Sequence, residues 1–462
     1  MVVQHNLTAM NANRMLGITT NAQSKATEKL SSGYKINRAA DDAAGLSISE
    51  KMRKQIRGLD KASSNAEDGV SAVQTAEGAL TEVHSMLQRM NELAVQASNG
   101  TNSSTDRQAI QDEISQLTTE IDRVAETTKF NESYLLKGDN AKTKNVYMEG
   151  HDAGLKGALT DNSTSATFTV KGGDLDSGKS VTIGGKEYTI GASVDEGKKM
   201  LGTTYDGSVK AKVNGVEYTL VDNADMDKNA NKLDKTEMEK LIVAGATVEV
   251  GGKSATVLTD ANNDGIDDND SSVITAAKAV ELMTTELTAA NNIGTVDHAA
   301  TVAKGGAYDA TNGVTFTITK GYATVADKLS FNLHVGSDAD MTNKITVEIE
   351  TMSAKNLGIK GLNVADETGL GATYAVDAIA DAVQKVSEQR SALGAVQNRL
   401  EHTIANLDNV VENTTSAESR IRDTDMAETM VEYSKNNILA QAGQSMLAQA
   451  NQSNQGVLSL LQ

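Results

Sequence analysis

The sequence contains no cysteine, no proline and no tryptophan, and only 3% of its 462 residues are aromatic. Without cysteine the chain has no disulfide bonds, no thiolate chemistry and no zinc site with cysteine ligands. Enzymes of this size normally shape a small-molecule cleft with aromatic and proline residues, so the composition disfavours a conventional active site. The length and the hydrophobic fraction of 39% predict about two to four domains with real cores.

The charge balance is acidic, with 43 basic and 62 acidic residues and a net charge of −19. Because such a chain repels other polyanions, we expect no nucleic-acid partner and no anionic membrane surface. No apolar run reaches the roughly 18 residues of a membrane span, so we expect no membrane insertion. The first six residues show neither a charged nor an apolar signal region, so we expect no cleavable signal peptide. Composition alone would indicate a cytoplasmic protein.

Two residue types divide the chain into three parts. Arginine is absent between Arg123 and Arg390, and glutamine is absent between Gln116 and Gln384. Such a shift in composition indicates a region of different architecture, inserted between two ends of similar character. We therefore expect the two ends to pack with each other.

Both ends contain apolar residues at alternating spacings of three and four, which is the pattern of a coiled coil. A break at 99–104 predicts a turn between two N-terminal helices, and Asp106 is the expected cap of the second helix. One C-terminal helix is predicted from Tyr374 to about Arg420, roughly 70 Å long at 1.5 Å per residue. The heptad positions are Val73, Ala76, Leu80, Val83, Leu87, Met90, Ala94, Ala97, Ile110, Ile114, Leu117, Ile121, Val124, Ile379, Val383, Val386, Leu393, Leu400, Ile404, Leu407 and Val411.

Two polar residues, Arg390 and Gln397, interrupt the C-terminal seam of heptad positions. Buried polar residues at seam positions fix the register and the partner of a coiled coil, at some cost in stability. The other interpretation places both side chains at the edge of the seam. The sequence leaves these two interpretations open.

The middle of the chain contains short alternating segments that are typical of β-strands. Three of them have Gly-Gly or Asn-Gly at their centre, which predicts hairpins because both turn positions need a positive φ. The predicted hairpins are 181–190, 211–220 and 248–257, further strands lie near 313–319, 329–335 and 344–350, and one helix lies at about 272–290.

Apolar residues at the extreme ends, within 1–35 and 425–462, are surrounded by alanine, glutamine, asparagine and serine. Isolated terminal helices of this kind are marginally stable in water. We therefore expect two tails that become ordered when neighbouring molecules bury them. The residues expected to make these contacts with neighbouring molecules, and so to drive polymerisation, are Leu7, Met10, Leu16, Ile438, Leu439, Met446, Leu447, Leu458 and Leu461.

Long motifs at both ends resemble one protein family. On the N-terminal side they are 30–48, which begins Leu-Ser-Ser-Gly-Tyr-Lys-Ile-Asn-Arg, and 88–96. On the C-terminal side they are 389–402, 417–426 (Ala-Glu-Ser-Arg-Ile-Arg-Asp-Thr-Asp-Met) and 441–451. The chain thereby resembles the bacterial flagellins, the subunits of the flagellar filament, over about 1–138 and 326–462.

The resemblance implies a mainly α fold with an inserted mainly-β domain. In that family both chain ends form a long α-helical coiled-coil rod, and the terminal helices form an inner tube on polymerisation. The expected domains are 1–40 with 424–462 as inner-tube helices that are disordered in the free subunit, 41–139 with 326–423 as the rod and a β-hairpin, and 140–325 as a surface-exposed insert.

The function that the resemblance implies is that of a structural subunit, which polymerises into the flagellar filament for swimming motility. The implied partners are further copies of the chain, the flagellar export chaperone, and the cap and hook-associated proteins; no cofactor is implied. Family members are exported unfolded through the flagellar channel, so the resemblance places the chain outside the cell instead of in the cytoplasm. Two alternatives stay open: a hook–filament junction protein, and a secreted adhesin or immune ligand that acts through 140–325.

The resemblance also implies a host partner, the vertebrate Toll-like receptor 5. The residues expected to bind it are Arg89, Leu93, Gln96 and Glu113, of which the first three have helical spacing. Leu93 lies beside the heptad seam, where a leucine between polar neighbours usually flanks the core; the resemblance makes it an exposed contact residue instead. A central arginine beside an apolar contact is typical of a binding hot spot.

We expect no enzyme activity, because the six histidines are scattered and no nucleophile elbow, P-loop or dinucleotide fingerprint is present. One metal candidate is the segment 260–270, where Asp260, Asn262 and Asp264 fit the first half of an EF-hand calcium loop. The twelfth position is Ser271, where the motif needs a bidentate glutamate. A solvated acidic turn is therefore the favoured interpretation.

Overall fold

The computed structural model describes residues 6–203, 206–294, 297–366 and 368–459, with the backbone alone for 454–459. Long helices occupy both ends of the chain, and strands dominate its middle, as the sequence predicts. The helices of the described residues are α1 (Leu7–Ser32), α2 (Ala43–Ser98), α3 (Ser104–Thr127), α4 (Val194–Met200), α5 (Lys235–Leu241), α6 (Ala276–Ala290), α7 (Ala354–Leu357), α8 (Leu370–Arg422) and α9 (Met426–Ser459).

The strands form several small sheets of two to five strands each. Their order along the chain is β1 (Lys129–Phe130), β2 (Ser133–Tyr134), β3 (Asp139–Tyr147), β4 (Ala158–Asp161), β5 (Ser165–Val170), β6 (Ser180–Ile183), β7 (Lys186–Ile190), β8 (Lys210–Val213), β9 (Val216–Leu220), β10 (Lys232–Leu233), β11 (Thr247–Val250), β12 (Lys253–Thr256), β13 (Val273–Ile274), β14 (Thr301–Lys304), β15 (Val314–Thr319), β16 (Tyr322–Asp327), β17 (Leu329–His334) and β18 (Lys344–Ile349).

The chain divides into two compact units. The first consists of Met1–Ser71, Phe331–Val347 and Ala395–Gln462, and the second of Ala72–Ser330 and Glu348–Gly394. Within the described residues, no helix is both long and apolar enough to cross a bilayer.

In the first unit α2 and α8 run antiparallel. Leu59 packs with Leu407, and further along α2 the buried Ala66 packs with Leu400 and Ile345. The β17–β18 hairpin lies against α2, where a Cβ on Gly69 would come within 2.2 Å of a methyl group of Leu333. A glycine at this position therefore lets the hairpin approach the helix closely.

In the second unit the predicted heptad residues form the buried seam. All eight positions from Val73 to Ala97 are buried, and so are Ile379, Val386 and Leu393 on α8. On α3 only some of the predicted heptad residues are fully buried. Ile110, Ile114 and Ile121 are buried, and Leu117 and Val124 are half-buried.

The two polar residues of the seam behave differently. The Arg390 guanidinium is half-buried, and its Nη2 lies 3.9 Å from Glu77 Oε1 on α2, so it pairs between helices. Gln397 donates instead to Glu401 of its own helix at 2.9 Å, which agrees with a position at the edge of the seam.

The turn at 99–104 is confirmed, but the helix cap is not Asp106. Ser103 is the N-cap of α3, and its hydroxyl accepts a hydrogen bond from the Asp106 backbone N–H. Asp106 is the third residue of the helix, and its carboxylate accepts from the Ser103 backbone N–H at 3.1 Å. This reciprocal pair is a capping box, in which both residues satisfy helix-start donors.

The predicted hairpins of the middle region are confirmed as β6–β7, β8–β9 and β11–β12. Each turn has two residues of positive φ, for example Asn214 and Gly215 between β8 and β9. A separate four-stranded sheet has the order β14-β15-β5-β4, and its inner face carries Phe168 and Phe316 in register. The predicted helix is α6, whose buried Met283 and Leu287 pack into the same core.

Candidate assembly and receptor surfaces

The terminal helices α1 and α9 lie side by side and contact each other through small residues. Ala26 and Ala440 are buried, and a Cβ on Gly443 would lie 3.4 Å from Leu16 Cδ1. At the far end the Asn6 side chain donates to the Ala450 carbonyl at 3.0 Å. Small residues let the two helices approach closely, but they bury little apolar surface between them.

Most of the predicted polymerisation residues point away from this contact. Leu7 is 67% exposed, Ile438 66% and Met446 61%, and Met10 and Leu439 are exposed as well. Leu16 and Leu447 are half-buried. The side chains of Leu458 and Leu461 lie outside the described residues, so their prediction stays untested.

The exposed apolar residues of α9 form a shallow groove of about 520 Å³. The groove is lined by Met430, Val431, Ser434, Lys435, Ile438 and Leu439. The apolar residues of α9 are spread around the helix and do not form a single stripe, so one neighbouring helix cannot cover them all. An exposed apolar surface of this extent marks an interaction site.

A short backbone bridge joins the segment that follows α1 to the segment that precedes α9. The Lys35 backbone N–H donates to the Arg422 carbonyl at 2.7 Å, and the Thr424 N–H donates to the Gly33 carbonyl at 3.0 Å. The Arg422 guanidinium lies over the Tyr34 ring at 4.7 Å and contacts Glu50 at 3.1 Å. The bridge therefore holds the start of α9 beside the end of α1.

The predicted receptor residues lie on α2 and α3 in the second unit. Arg89 is exposed and pairs with Glu113 across the two helices at 2.9 Å, and with Glu92 on its own helix at 3.1 Å. The hydrogen bond with Glu113 raises the pKa of Arg89, so its charge is fixed. Gln96 is exposed on the same helix. The structure thus brings Arg89 and Glu113 together on the surface.

The interpretation of Leu93 as an exposed contact residue is wrong, and the other interpretation, that it flanks the core, is confirmed. Its side chain is only 2% exposed. Arg89 and Ala97, which lie four residues before and after it on the same helix face, both contact residues of α3, so α3 runs along this face. The exposed apolar residue of this region is Val95, which is 52% exposed and was not predicted. The heptad pattern gave no signal for this difference, because Leu93 and Val95 both lie outside the heptad positions and only Leu93 is buried.

The calcium-loop candidate is a turn whose side-chain oxygens bind its own backbone. Asp260 accepts from the N–H groups of Asp264 and Gly265 at 3.1 and 2.9 Å, and Asn262 accepts from Asp264 at 3.0 Å. The Asp264 carboxylate accepts from Ile266 at 2.9 Å. Across the residues that the structure describes, no three acidic or histidine side chains are arranged to hold a metal ion. The hydrogen bonds within the loop favour the interpretation of a solvated acidic turn over that of a calcium site.

Two family models match the helical ends of the chain. The bacterial flagellin N-terminal helical region matches residues 3–141, and the bacterial flagellin C-terminal helical region matches residues 376–461.

Whole-length relatives match as well. A flagellin of Clostridium tyrobutyricum is 42% identical, with 98% of this chain and all of the relative covered. Flagellins of Halalkalibacterium halodurans and Bacillus subtilis are each 35% identical, with 100% of both chains covered. The chain therefore belongs to the bacterial flagellins, the structural subunits of the flagellar filament.

Proposed function

We propose that the chain polymerises through α1 and α9 into a helical filament that serves as a propeller for swimming. The observation that carries this proposal is the set of large apolar side chains exposed on both terminal helices, above all Leu7, Ile438 and Met446. Flagellins are structural proteins and not enzymes, and the family supports self-assembly as the role of such a surface. Contacts between unlike faces of successive copies do not close, so they generate a helical polymer.

The driving force is burial of apolar surface. Full burial of one leucine, isoleucine or methionine side chain contributes roughly 1.5–3 kcal/mol. Several such side chains per subunit offset the conformational entropy that is lost when terminal helices become ordered. Because α1 and α9 bury only a few small apolar residues in the single chain, their paired helices are weakly held there. We therefore propose that 1–40 and 424–462 are disordered in the free subunit and take up the helical form in the inner tube of the filament, with 41–139 and 326–423 outside it and 140–325 at the surface.

The proposal extends to the route and the partners of the chain. We propose that an export chaperone delivers it unfolded to the flagellar channel. It would then assemble beneath a cap protein on top of hook-associated proteins. Its location would be the flagellum outside the cell. Family membership supports each of these steps.

Seeded polymerisation tests the assembly proposal. Purified full-length chain is added to short filament seeds, beside a variant that lacks 1–35 and 425–462, and growth is followed by pelleting and negative-stain microscopy. We expect long filaments from the full chain and none from the truncated variant, and only the full chain should restore swimming to a strain that lacks its flagellin. Full-length chain that binds seeds but stops growth would instead indicate a junction protein.

We further propose that Arg89, Gln96 and Glu113 contact host Toll-like receptor 5, with Leu93 acting from the core to hold this face in shape. Arg89→Glu should lower receptor activation by about tenfold, since loss of one central arginine contact costs roughly 1.4 kcal/mol or more. The measurement is dose–response in reporter cells with soluble protein.

Arg123→Glu is the matched control, because Arg123 is also exposed and also pairs with a glutamate, Glu120. Activation should stay within about twofold of the unchanged chain in this control. Equal losses in both variants, or no loss in either, would contradict the assigned receptor surface.

A further inference from the structure

Methionine is the only sulfur-containing residue of this chain. The sequence has 16 methionines, no cysteine and no tryptophan, so the thioether is the side-chain group that a peroxide oxidises most readily. Five of the six methionines that the described part of the chain exposes widely lie on the two terminal helices. They are Met10 and Met15 on α1, and Met426, Met430 and Met446 on α9. Oxidisable sulfur is therefore concentrated on the surface proposed for assembly.

These five side chains are open to solvent in the single chain. Met10 is 63% exposed, Met446 61% and Met15 54%, and Met426 and Met430 are each 50% exposed. Met430 also lines the shallow groove of α9. A small oxidant dissolved in water reaches each of these sulfur atoms without any opening of the fold. Disorder of the two ends in the free subunit, as proposed above, would leave the sulfur atoms equally accessible.

The methionines of the packed cores are protected. Met90 in the helical seam is 0% exposed, and so are Met238 and Met283 in the middle of the chain. Met283 packs with the residues of the four-stranded sheet, and Met238 packs with those of the five-stranded sheet. A peroxide reaches these sulfur atoms only when the fold opens, which is a rare event in a stable core. Mild oxidation therefore distinguishes the two sets of methionines.

Oxidation converts an apolar methionine side chain into a polar one. One oxygen atom passes from the peroxide to the sulfur: an S–O bond forms, the O–O bond breaks, and hydrogen peroxide is reduced to water as the sulfur is oxidised to the sulfoxide. In the soluble chain, water donates hydrogen bonds to the new oxygen. In a contact between copies, apolar neighbours such as Ile438 and Leu439 cannot donate, and burial of an unpaired polar group is unfavourable.

We infer that these five methionines are a modification site, at which oxidation by a peroxide prevents the soluble chain from adding to a filament. The inference rests on the proposed polymerisation through α1 and α9. Polymerisation would in turn bury the sulfur atoms, so subunits that are already assembled should resist the same oxidant. The modification is reversible, because two classes of reductase, one for each sulfoxide epimer, restore the thioether.

The first measurement does not depend on polymerisation. The soluble full-length chain is treated briefly with dilute hydrogen peroxide, and the sulfoxide at each methionine is quantified by peptide mass spectrometry. We expect each of the five methionines to oxidise at least about tenfold faster than Met90, Met238 and Met283, which serve as the buried reference in the same sample. Equal oxidation rates in the two sets would overturn the inference before any filament is grown.

The second measurement is seeded growth of the oxidised chain, followed by pelleting. The concentration of chain that remains unpolymerised should be at least about tenfold higher than for untreated chain. A five-leucine variant keeps an apolar surface of similar volume without the oxidisable sulfur, so it should grow equally well with and without peroxide. Its substitutions are Met10→Leu, Met15→Leu, Met426→Leu, Met430→Leu and Met446→Leu.

Met341 provides the matched control. It is 73% exposed, but it lies in the turn between β17 and β18 and not on a terminal helix. The five-leucine variant retains Met341 and Met1, so oxidation at these two positions takes place in it as in the unchanged chain. Met341→Leu alone should leave the chain as sensitive to peroxide as before. Loss of growth in the peroxide-treated five-leucine variant would therefore contradict the assigned site.

The outcomes separate this inference from the polymerisation proposal. If untreated chain fails to grow on good seeds, polymerisation itself is contradicted, and the inference falls with it. If untreated chain grows and chain with verified sulfoxide at the five positions grows equally well, the oxidation site alone is overturned. Incubation of the oxidised chain with both reductases should restore growth. This reversal decides the case if the five-leucine variant does not assemble even before treatment, because continued failure after complete reduction would overturn the inference.

Discussion

Replacing Ile438 and Met446 together with glutamine will abolish seeded filament growth while the soluble chain keeps its helical content. Both side chains are largely exposed in the single chain, so their loss costs the monomer little. In a filament every subunit would bury both, and the double change removes roughly 3 kcal/mol or more of apolar burial per subunit. By the affinity relation this raises the critical concentration by at least about 100-fold.

The measurement is the concentration of unpolymerised chain that remains after seeded growth, determined by pelleting. Val243→Gln is the matched control, since Val243 is also more than half exposed but lies in the middle region, outside α1 and α9. It should polymerise like the unchanged chain. Normal growth of the double variant would show that these faces of α9 do not drive assembly.

Leu400→Ala is expected to destabilise the first unit by about 2–5 kcal/mol, the range for truncating a fully buried leucine. Leu400 is 0% exposed and packs where three segments meet: Ala66 of α2, Ile345 of the β17–β18 hairpin and its own helix. A cavity at this point weakens all three contacts together. Urea unfolding of the soluble chain, monitored by circular dichroism, measures the loss of stability as a lower urea concentration at the midpoint.

Val410→Ala is the control for this effect, because Val410 lies on the same helix but is 39% exposed. We expect its free energy of unfolding to fall by less than about 1 kcal/mol. If Leu400→Ala were as stable as Val410→Ala, the three segments would not share a single packed core.

The helical ends could be predicted from the sequence because their packing is periodic. Every heptad position from Val73 to Ala97 is buried, since a repeat of seven residues keeps one face of a helix toward its neighbours. The hairpins could also be predicted, because Gly-Gly and Asn-Gly turns demand backbone angles that other residue pairs rarely adopt. In both cases a local pattern alone determines the local structure.

Features that depend on a third element could not be predicted. Leu93 is buried on the face of α2 whose Arg89 and Ala97 contact α3, a face that a two-helix pattern leaves exposed. The cap of α3 is a different case, because it is local: Ser103 takes the N-cap position and Asp106, three residues later, completes the capping box, so no third element is involved.

A cluster of charged side chains in the second unit, in which Lys320 pairs with Asp161 and His151 lies beside Asp381, is the clearest case of this limit. Lys320, Asp161 and His151 are distant in sequence from Asp381 and Lys385, and no motif links them. Only the meeting of the sheet region with α8 reveals that their charges face one another. The sequence did contain the spacing of Asp377, Asp381 and Lys385, which indicates one charged helix face but not what covers it.

The most direct test of the account is hydrogen exchange in α1 and α9, compared between the soluble chain and the assembled filament by mass spectrometry. If polymerisation buries and orders these helices, their amides should exchange at least about 100-fold more slowly in the filament. Amides in the five-stranded sheet β10-β9-β8-β11-β12 should exchange at the same rate in both states. Equal exchange of α1 and α9 in chain and filament would contradict the claim that the terminal helices form the assembly interface.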